Sequence, residues 1–247
     1  MLDREQLAAI TRQGPEPIFA TISGAHLYGF ASRDSDIDLR GAFLLSARDM
    51  LGLRKIDETI TIEQKSPLDL DWVAHDLRKF ARMMVSHNGY VMDQLYSPLI
   101  VVTTPAHAEL MKLGRGCITR PMVRHYQGFA RGRRKRVHEP DATVKHLLYA
   151  YRVLLAGIHL MRTGEVVANI TTLREHHRLA VVEELVQRKQ EGAEKMPLSP
   201  EEITAHDHHL DALEQELELA HQRSTLPLEP SSARALEDFV IRLRLER

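Results

Sequence analysis

Ser23-Gly24-Ala25, followed after ten further residues by Asp36-Ile37-Asp38, is the most informative part of this sequence for predicting the fold. The triplet opens an apolar run that we predict as a strand. Because successive side chains of a strand point to opposite faces, the two aspartates share one face. Adjacent carboxylates repel each other unless a cation lies between them, and hard divalent cations such as Mg²⁺ take carboxylate oxygens. The stretch therefore predicts a metal site.

Gly24 ends the preceding predicted strand, residues 18–22, and the next predicted strand, residues 37–45, starts within the triplet. Glycine permits a turn that phosphates can approach closely. Arg40 follows Asp38 in the same row of side chains, where it either reaches the phosphates or forms a salt bridge that balances Asp38. Carboxylates that bind metal beside a glycine turn are typical of chemistry on a nucleoside triphosphate.

Gly24-Ala25 followed at this distance by the acidic triplet resembles the signature of the polymerase-beta-type nucleotidyltransferase superfamily. The longer strings, residues 23–29 and 34–41, resemble the predicted nucleotidyltransferases associated with RNA ligase and RNA repair. Two later runs, residues 77–80 and 145–152, are similar to that group, and the resemblance covers about residues 16 to 165. Ala25 replaces the serine that is usual in the family. Either Ser23 or backbone amides then bind the triphosphate in place of that serine, or activity is reduced.

The resemblance implies an α/β (α+β) fold, a nucleotidyltransferase-type mixed sheet with flanking helices followed by a helical C-terminal region. With 247 residues the chain has room for two modest domains. We predict a catalytic domain at residues 1–110 and a helical C-terminal domain at 111–247, because the chain has helical periodicity almost throughout after Pro105. Within the first domain we predict a hairpin between residues 59–62 and 68–74. Within the second we predict one helix over residues 172–191.

The function that the resemblance implies is metal-dependent transfer of a nucleoside monophosphate from a nucleoside triphosphate to an acceptor hydroxyl, with release of pyrophosphate. RNA or tRNA is the leading acceptor, and an RNA ligase is an implied partner. Two alternatives stay open. One is transfer of AMP to a small molecule or a protein, and the other is a non-catalytic RNA-binding module that keeps the fold. No feature of the sequence indicates which base is recognised, so adenine is taken as the default base.

The third carboxylate of the site is expected from the strand at residues 68–74, where Asp69 and Asp71 share one face. We favour Asp71, because it lies nearer the middle of the strand and similar families place an aspartate just before the next helix. The predicted catalytic and metal-binding residues are Asp36, Asp38 and Asp71, with two Mg²⁺ ions, or Mn²⁺, and with Asp71 as the base. Relief of repulsion predicts that Asp38→Asn abolishes transfer and leaves thermal stability equal or higher.

Polar side chains on a later helix complete the predicted nucleotide site. Lys145, Tyr149 and Arg152 are spaced i, i+4 and i+7, so they share one helical face. A solvent-facing stripe is the alternative. The predicted nucleotide-binding residues are Ser23, Gly24, Ala25, Arg40, Lys145, Tyr149 and Arg152.

A dense basic run precedes that helix. It favours contact with a polyanion such as the phosphate backbone of RNA, although a solvated helix end is the alternative. The formal net charge of −1 argues against indiscriminate affinity for nucleic acid. The predicted RNA-binding residues are Arg131, Arg133, Arg134, Lys135 and Arg136.

A cytoplasmic location is expected from three observations. Cys117 is the single cysteine, so the chain forms no internal disulfide. No charged segment followed by an apolar core opens the chain. The most apolar helical run, residues 147–161, is too short to cross a bilayer and carries Arg152 and His159.

Overall fold

The structure is a computed structural model that describes residues 3–66, 69–177, 179–192 and 197–246. The backbone packs into two compact units. The first consists of Met1–Gly24, Asp36–Ile118 and Glu229–Arg247, and the second consists of Ala25–Ser35 and Thr119–Leu228. The predicted domains, residues 1–110 and 111–247, stay a prediction, and these packing units do not follow that boundary.

Among the described residues, the first unit contains a five-stranded mixed sheet in the order β3-β4-β2-β1-β5. β2 and β4 are parallel, and the other neighbours are antiparallel. The predicted mixed sheet and the predicted β3–β4 hairpin are confirmed, although Leu68, within the range predicted for β4, lies outside the described residues. The strands are β1 (Pro17–Ile22), β2 (Ile37–Phe43), β3 (Thr59–Gln64), β4 (Leu70–Asp76) and β5 (Ile100–Val102).

Helices flank this sheet, as predicted, and they also form most of the second unit. Of the helices described, none is long and apolar enough to cross a membrane. They are α1 (Arg4–Thr11), α2 (Gly24–Tyr28), α3 (Ala47–Leu51), α4 (Leu77–Val85), α5 (Gly89–Leu95), α6 (Pro105–Arg115), α7 (Val123–Val137), α8 (Val144–Thr163), α9 (Ile170–His177), α10 (Ala180–Glu191), α11 (Pro200–Arg223) and α12 (Ala233–Leu245).

The two faces of β4 differ in burial. Leu70, Trp72 and Ala74 alternate into the core of the sheet, and Trp72 is fully buried. The intervening side chains, among them Asp71, are only half-buried. Alternation therefore turns the predicted third carboxylate toward the more open face, while Trp72 anchors the strand from behind.

The end of β4 is fixed by Asp76, whose side chain is fully buried. Its carboxylate accepts hydrogen bonds from the backbone N–H groups of Leu45 and Arg78, both at 2.9 Å, and thereby caps α4. Arg244 of α12 donates to both carboxylate oxygens, at 2.8 and 3.1 Å. The last helix of the chain thus stabilises the strand that carries Asp71.

The second unit is built around α8, which packs against α7, α9, α10 and α11. Most of its side chains are buried, in agreement with its apolar sequence. Lys189 of α10 is also buried, and its ammonium group donates to the Ser32 hydroxyl at 2.7 Å. This bond ties the segment 25–35 to the helices of its own unit.

The prediction of one helix over residues 172–191 is wrong. α9 ends at His177, and α10 begins at Ala180. Between them Leu179 has extended backbone angles, φ −92° and ψ 92°, and precedes the first residue of α10. A residue in that conformation cannot continue the hydrogen-bond ladder of a helix, so the periodic pattern is divided into two helices.

Candidate active site

Asp38 and Asp71 are brought together by the register of two strands. β2 and β4 run parallel and pair Asp38 with Asp71 directly. Both side chains contact Arg40, whose Nη2 lies 2.7 Å from Asp38 Oδ1 and 3.0 Å from Asp71 Oδ2. The carboxylates that the sequence assigns to a metal are therefore linked, in this structure, by a guanidinium.

Arg40 uses its other terminal nitrogen as well. Nη1 donates to the backbone carbonyls of Leu39 at 2.7 Å and Asp71 at 2.9 Å. Its side chain is only 15% exposed. Of the two alternatives for Arg40, the structure contains the salt bridge, and it extends to Asp71 as well as Asp38.

The Gly24 turn lies directly against Asp38. Gly24 has a left-handed φ of +56°, and a Cβ at this position would lie 1.8 Å from Asp38 Oδ2. The N–H of Ser23 donates to the carbonyl oxygen of Asp38 at 2.7 Å. Only glycine combines this backbone angle with so close an approach. The spacing that the sequence singles out thus corresponds to a contact between turn and carboxylate.

Ser23 itself is 1% exposed, and its hydroxyl has no hydrogen-bond partner among the described residues. Ala25, in the second unit, is likewise buried. Neither side chain is an exposed phosphate ligand in this structure. Their role in nucleotide binding stays a prediction.

Asp36 and Asp69 have different surroundings. Asp36 is half-buried and lies just before β2, outside the strand. Asp69 is exposed and lies 3.0 Å from Lys65, and this carboxylate is the main cause of the raised pKa of Lys65, with a smaller contribution from Asp36. Across the part of the chain that the structure describes, no three His, Cys, Asp or Glu side chains form a group that could hold a metal ion. The convergence of Asp36 with Asp38 and Asp71 stays a prediction.

The Asp38–Asp71 pair nevertheless fits a divalent cation. Asp71 Oδ1 is buried and has no hydrogen-bond partner among the described residues. A buried carboxylate oxygen without a donor is unfavourable, and an oxygen-seeking cation would satisfy it. The two aspartates thus supply the carboxylate oxygens that Mg²⁺ or Mn²⁺ prefers as ligands.

Another polar cluster lies further along the same strand face. Lys79 donates to the Thr59 hydroxyl at 2.5 Å, and that hydroxyl is 3.1 Å from His75 Nδ1. Burial, together with the charges of Lys79 and Arg40, lowers the pKa of His75 to about 4. His75 is therefore neutral at physiological pH.

Sequence reasoning missed Glu63 as well as this cluster. Glu63 pairs in register with Asp71 across the β3–β4 hairpin, and it is exposed. The hairpin was predicted, so its register was the signal that could have identified Glu63. A third carboxylate therefore flanks Asp71 on the edge strand.

In the second unit, the Lys145–Tyr149–Arg152 stripe packs on the segment 25–35. Arg152 is 3% exposed, and its guanidinium carbon lies 3.9 Å from the centre of the Tyr28 ring. Tyr149 meets the rings of Tyr28 and Phe30 edge to face, at 5.7 and 5.2 Å. Lys145 is half-buried. The solvent-facing alternative is wrong for Arg152, and nucleotide binding by the stripe stays a prediction.

The basic run on α7 is partly neutralised within its own unit. Arg134 contacts three carboxylates of α11, at distances of 2.5 to 3.5 Å. Arg136 pairs with Glu139 and Asp141. Arg133 lies over the Tyr149 ring, with 4.7 Å between its guanidinium carbon and the ring centre. RNA binding by the run stays a prediction that rests chiefly on Arg131 and Lys135.

Comparison with known proteins shows the family of this chain. The sequence matches the RlaP family, described as an RNA repair pathway DNA polymerase beta family, over residues 2–242. The chain belongs to the RlaP family. The resemblance seen in the glycine turn and acidic triplet is thereby confirmed over nearly the whole chain.

Two relatives resemble this RlaP-family chain. The uncharacterised protein MJ0002 of Methanocaldococcus jannaschii is 29% identical over 163 residues, which are 64% of this chain and 65% of that protein. The uncharacterised protein YcgL of Bacillus subtilis is 26% identical over 190 residues, 73% of this chain and 72% of that protein. The chain thus spans slightly less than two thirds of the length of MJ0002.

Among solved structures, a nucleotidyltransferase-like protein from Exiguobacterium sibiricum covers 98% of this chain and 79% of its own, at 16% identity and a TM-score of 0.32. A likeness at that score supports no conclusion about function or fold. The mixed sheet and the family membership stand without it.

Proposed function

We propose that this chain is a metal-dependent nucleotidyltransferase that transfers a nucleoside monophosphate from a nucleoside triphosphate to an acceptor hydroxyl on RNA. The observation that carries the proposal is the pairing of Asp38 with Asp71 on adjacent parallel strands, with Gly24 against the Asp38 carboxylate. Membership of an RNA repair pathway DNA polymerase beta family supports the reaction class and the RNA context. A cytoplasmic location and an association with an RNA ligase belong to the same proposal.

Asp38 and Asp71, with Asp36 as the third ligand, would hold two Mg²⁺ ions, with Mn²⁺ as the alternative. When bound, these ions neutralise the triphosphate and lower the pKa of the attacking hydroxyl. Asp71, as the proposed base, would accept the proton of that hydroxyl. The acceptor oxygen forms a bond to the α-phosphorus, the bond from that phosphorus to the bridging oxygen breaks, and pyrophosphate leaves. The protein contributes mainly positioning and charge.

The residues of the second unit have a supporting role in the proposal. Lys145, Tyr149 and Arg152 would contact the nucleotide, and the exposed part of the α7 basic run would contact the RNA backbone. Since Arg134 and Arg136 are engaged with carboxylates, we expect Arg131 and Lys135 to contribute most of the salt-dependent RNA affinity.

Label transfer tests this function. The protein is incubated with Mg²⁺, one α-labelled nucleoside triphosphate at a time and either total RNA or total protein, and pyrophosphate is measured in parallel. We expect label on RNA, and a loss of about 10²-fold or more in Asp71→Asn. Asp69→Asn is the matched control, because Asp69 is exposed and paired with Lys65. Label on protein or on a small molecule would show that the acceptor is not RNA. The absence of both label and pyrophosphate would refute the transferase.

A non-catalytic RNA-binding module is the second candidate, and two observations favour it. Ala25 removes the family's serine, and the Ser23 hydroxyl is buried. A module of this kind would bind RNA equally well with and without Mg²⁺ and would release no pyrophosphate. The assay above therefore separates the two candidates.

A further inference from the structure

The guanidinium of Arg40 has no terminal N–H left to offer a phosphate. Its two terminal nitrogens carry four N–H bonds. Nη2 contacts Asp38 and Asp71, and Nη1 contacts the carbonyls of Leu39 and Asp71. A triphosphate can therefore gain a bond from these nitrogens only if Arg40 gives up one of its present acceptors.

Its present acceptors are not equivalent. The two backbone carbonyls belong to the strands and stay where the sheet holds them. The two carboxylates are the proposed ligands of a divalent cation, and such a cation would repel a guanidinium that remained between them. The bonds from Nη2 are therefore the ones that metal binding would break, while the bonds from Nη1 keep the side chain attached to β2 and β4.

We infer that Arg40 couples metal binding to nucleotide binding. In the absence of ligands Arg40 is the cation that holds Asp38 and Asp71 together. When metal and triphosphate bind together, Nη2 leaves the carboxylates and donates to a phosphate oxygen. The inference rests on the proposed function, and it makes Arg40 the residue that links the affinity of the site for metal to its affinity for the nucleotide.

The coupling follows from the competition. A metal ion that binds alone must displace Arg40 Nη2 from two carboxylate acceptors and supplies no new acceptor. The affinity for metal alone is therefore weak. Metal bound with a triphosphate supplies anionic oxygens that accept the released N–H groups. By linkage, if the nucleotide strengthens metal binding through Arg40, the metal strengthens nucleotide binding by the same factor.

Calorimetry on Arg40→Gln tests this inference. Mg²⁺ is titrated into the full chain, alone and with an ATP analogue whose α,β-bridging oxygen is replaced by methylene. We expect the variant to bind Mg²⁺ alone about tenfold more tightly than the wild type, because the competing charge is gone. We also expect the analogue to strengthen Mg²⁺ binding less in the variant than in the wild type.

Two further variants control the measurement. Arg48→Gln removes a guanidinium from an exposed position of α3 and should leave both affinities unchanged. Arg40→Lys keeps the competing positive charge, so this variant should bind Mg²⁺ alone no more tightly than the wild type. Unlike arginine, its ammonium group cannot reach four acceptors. The unfolding temperature of each variant shows that the folded protein is being titrated. If Arg40→Gln is unfolded, Arg40→Lys is compared with the wild type instead. The analogue should strengthen Mg²⁺ binding less in the lysine variant than in the wild type.

The outcomes separate this inference from the function on which it rests. If the wild type binds the analogue with Mg²⁺ but Arg40→Gln binds Mg²⁺ alone no more tightly, the role of Arg40 is overturned and the proposed function stands. If the wild type binds neither Mg²⁺ nor the analogue, both are overturned.

Discussion

Gly24 shows how one residue determines the position of a carboxylate, that of Asp38, which we predict to be catalytic. Its left-handed backbone and missing side chain let the turn contact Asp38 Oδ2, at a point where any Cβ would overlap the oxygen. The spacing of glycine and aspartates in the sequence predicted this turn correctly. The sequence could not show that Arg40 joins Asp38 to Asp71, because that contact depends on which strand lies beside β2.

Gly24→Ala should disable the site more than it destabilises the chain. The added Cβ displaces the Asp38 carboxylate, and the positive φ costs about 1–3 kcal/mol of folding free energy. We expect loss of Mg²⁺-dependent nucleotide binding by calorimetry, with a moderately lower midpoint of urea unfolding. Gly132→Ala is the matched control, because nothing lies within 4 Å of its Cβ position on α7. Undiminished nucleotide binding by Gly24→Ala would contradict the role of the turn.

His75 should make stability depend on pH. Its pKa is lowered from 6.5 to about 4 in the folded chain. Between these values the unfolded chain binds more protons, so stability falls as the pH is lowered through this window. In His75→Gln we expect the loss between pH 7 and 4 to be smaller by about 1 kcal/mol, since the ring is half-buried and solvent screens part of the effect. Parallel pH profiles of wild type and variant in urea unfolding would contradict this assignment.

At the scale of elements, the parallel pairing of β2 with β4 brings the two aspartates together. Period-two alternation predicted which face each side chain takes, and hairpin spacing predicted the β3–β4 pair. Neither pattern predicts that β4 lies beside β2, because β3 lies between these two strands in the sequence. The stripe on α8 was likewise predicted as a face, but its packing on Tyr28 and Phe30 depends on contacts distant in sequence.

The pairing of β2 with β4 reverses the expected effect of Asp38→Asn on stability. Relief of repulsion predicts equal or higher stability for Asp38→Asn, but Arg40 already compensates both carboxylates. We expect the metal-free variant to be less stable by about 1 kcal/mol, because a largely buried guanidinium loses a charged acceptor. Urea unfolding in EDTA measures the difference, with Asp69→Asn as the exposed control. A variant as stable as the wild type would show that Arg40 contributes no net stabilisation.

At the scale of the whole molecule, the chain returns to the unit in which it began. Arg244 of α12 contacts Asp76 across 168 residues of sequence, which no local pattern could have predicted. The predicted domain boundary at residue 110 divides α6 and separates α12 from its packing partners, whereas the packing unit includes Glu229–Arg247. Periodicity predicts that such helices exist, but their partners are decided by long-range burial and charge.

Arg244→Met should therefore destabilise the chain strongly. It leaves the fully buried Asp76 without its cation, and breaking a buried ion pair costs about 3–5 kcal/mol. Arg242→Met is the matched control on the same helix, since its pair with Glu109 is exposed, and little change is expected. Urea unfolding of both variants measures the difference. Equal stabilities would show that α12 does not support β4.

Anomalous diffraction from crystals grown with Mn²⁺ and the methylene ATP analogue would show whether Asp38 and Asp71 hold a metal ion. We expect an anomalous peak in contact with carboxylate oxygens of both Asp38 and Asp71, with Arg40 Nη2 moved from these oxygens to a phosphate. A bound analogue with no Mn²⁺ at the two aspartates would contradict this expectation.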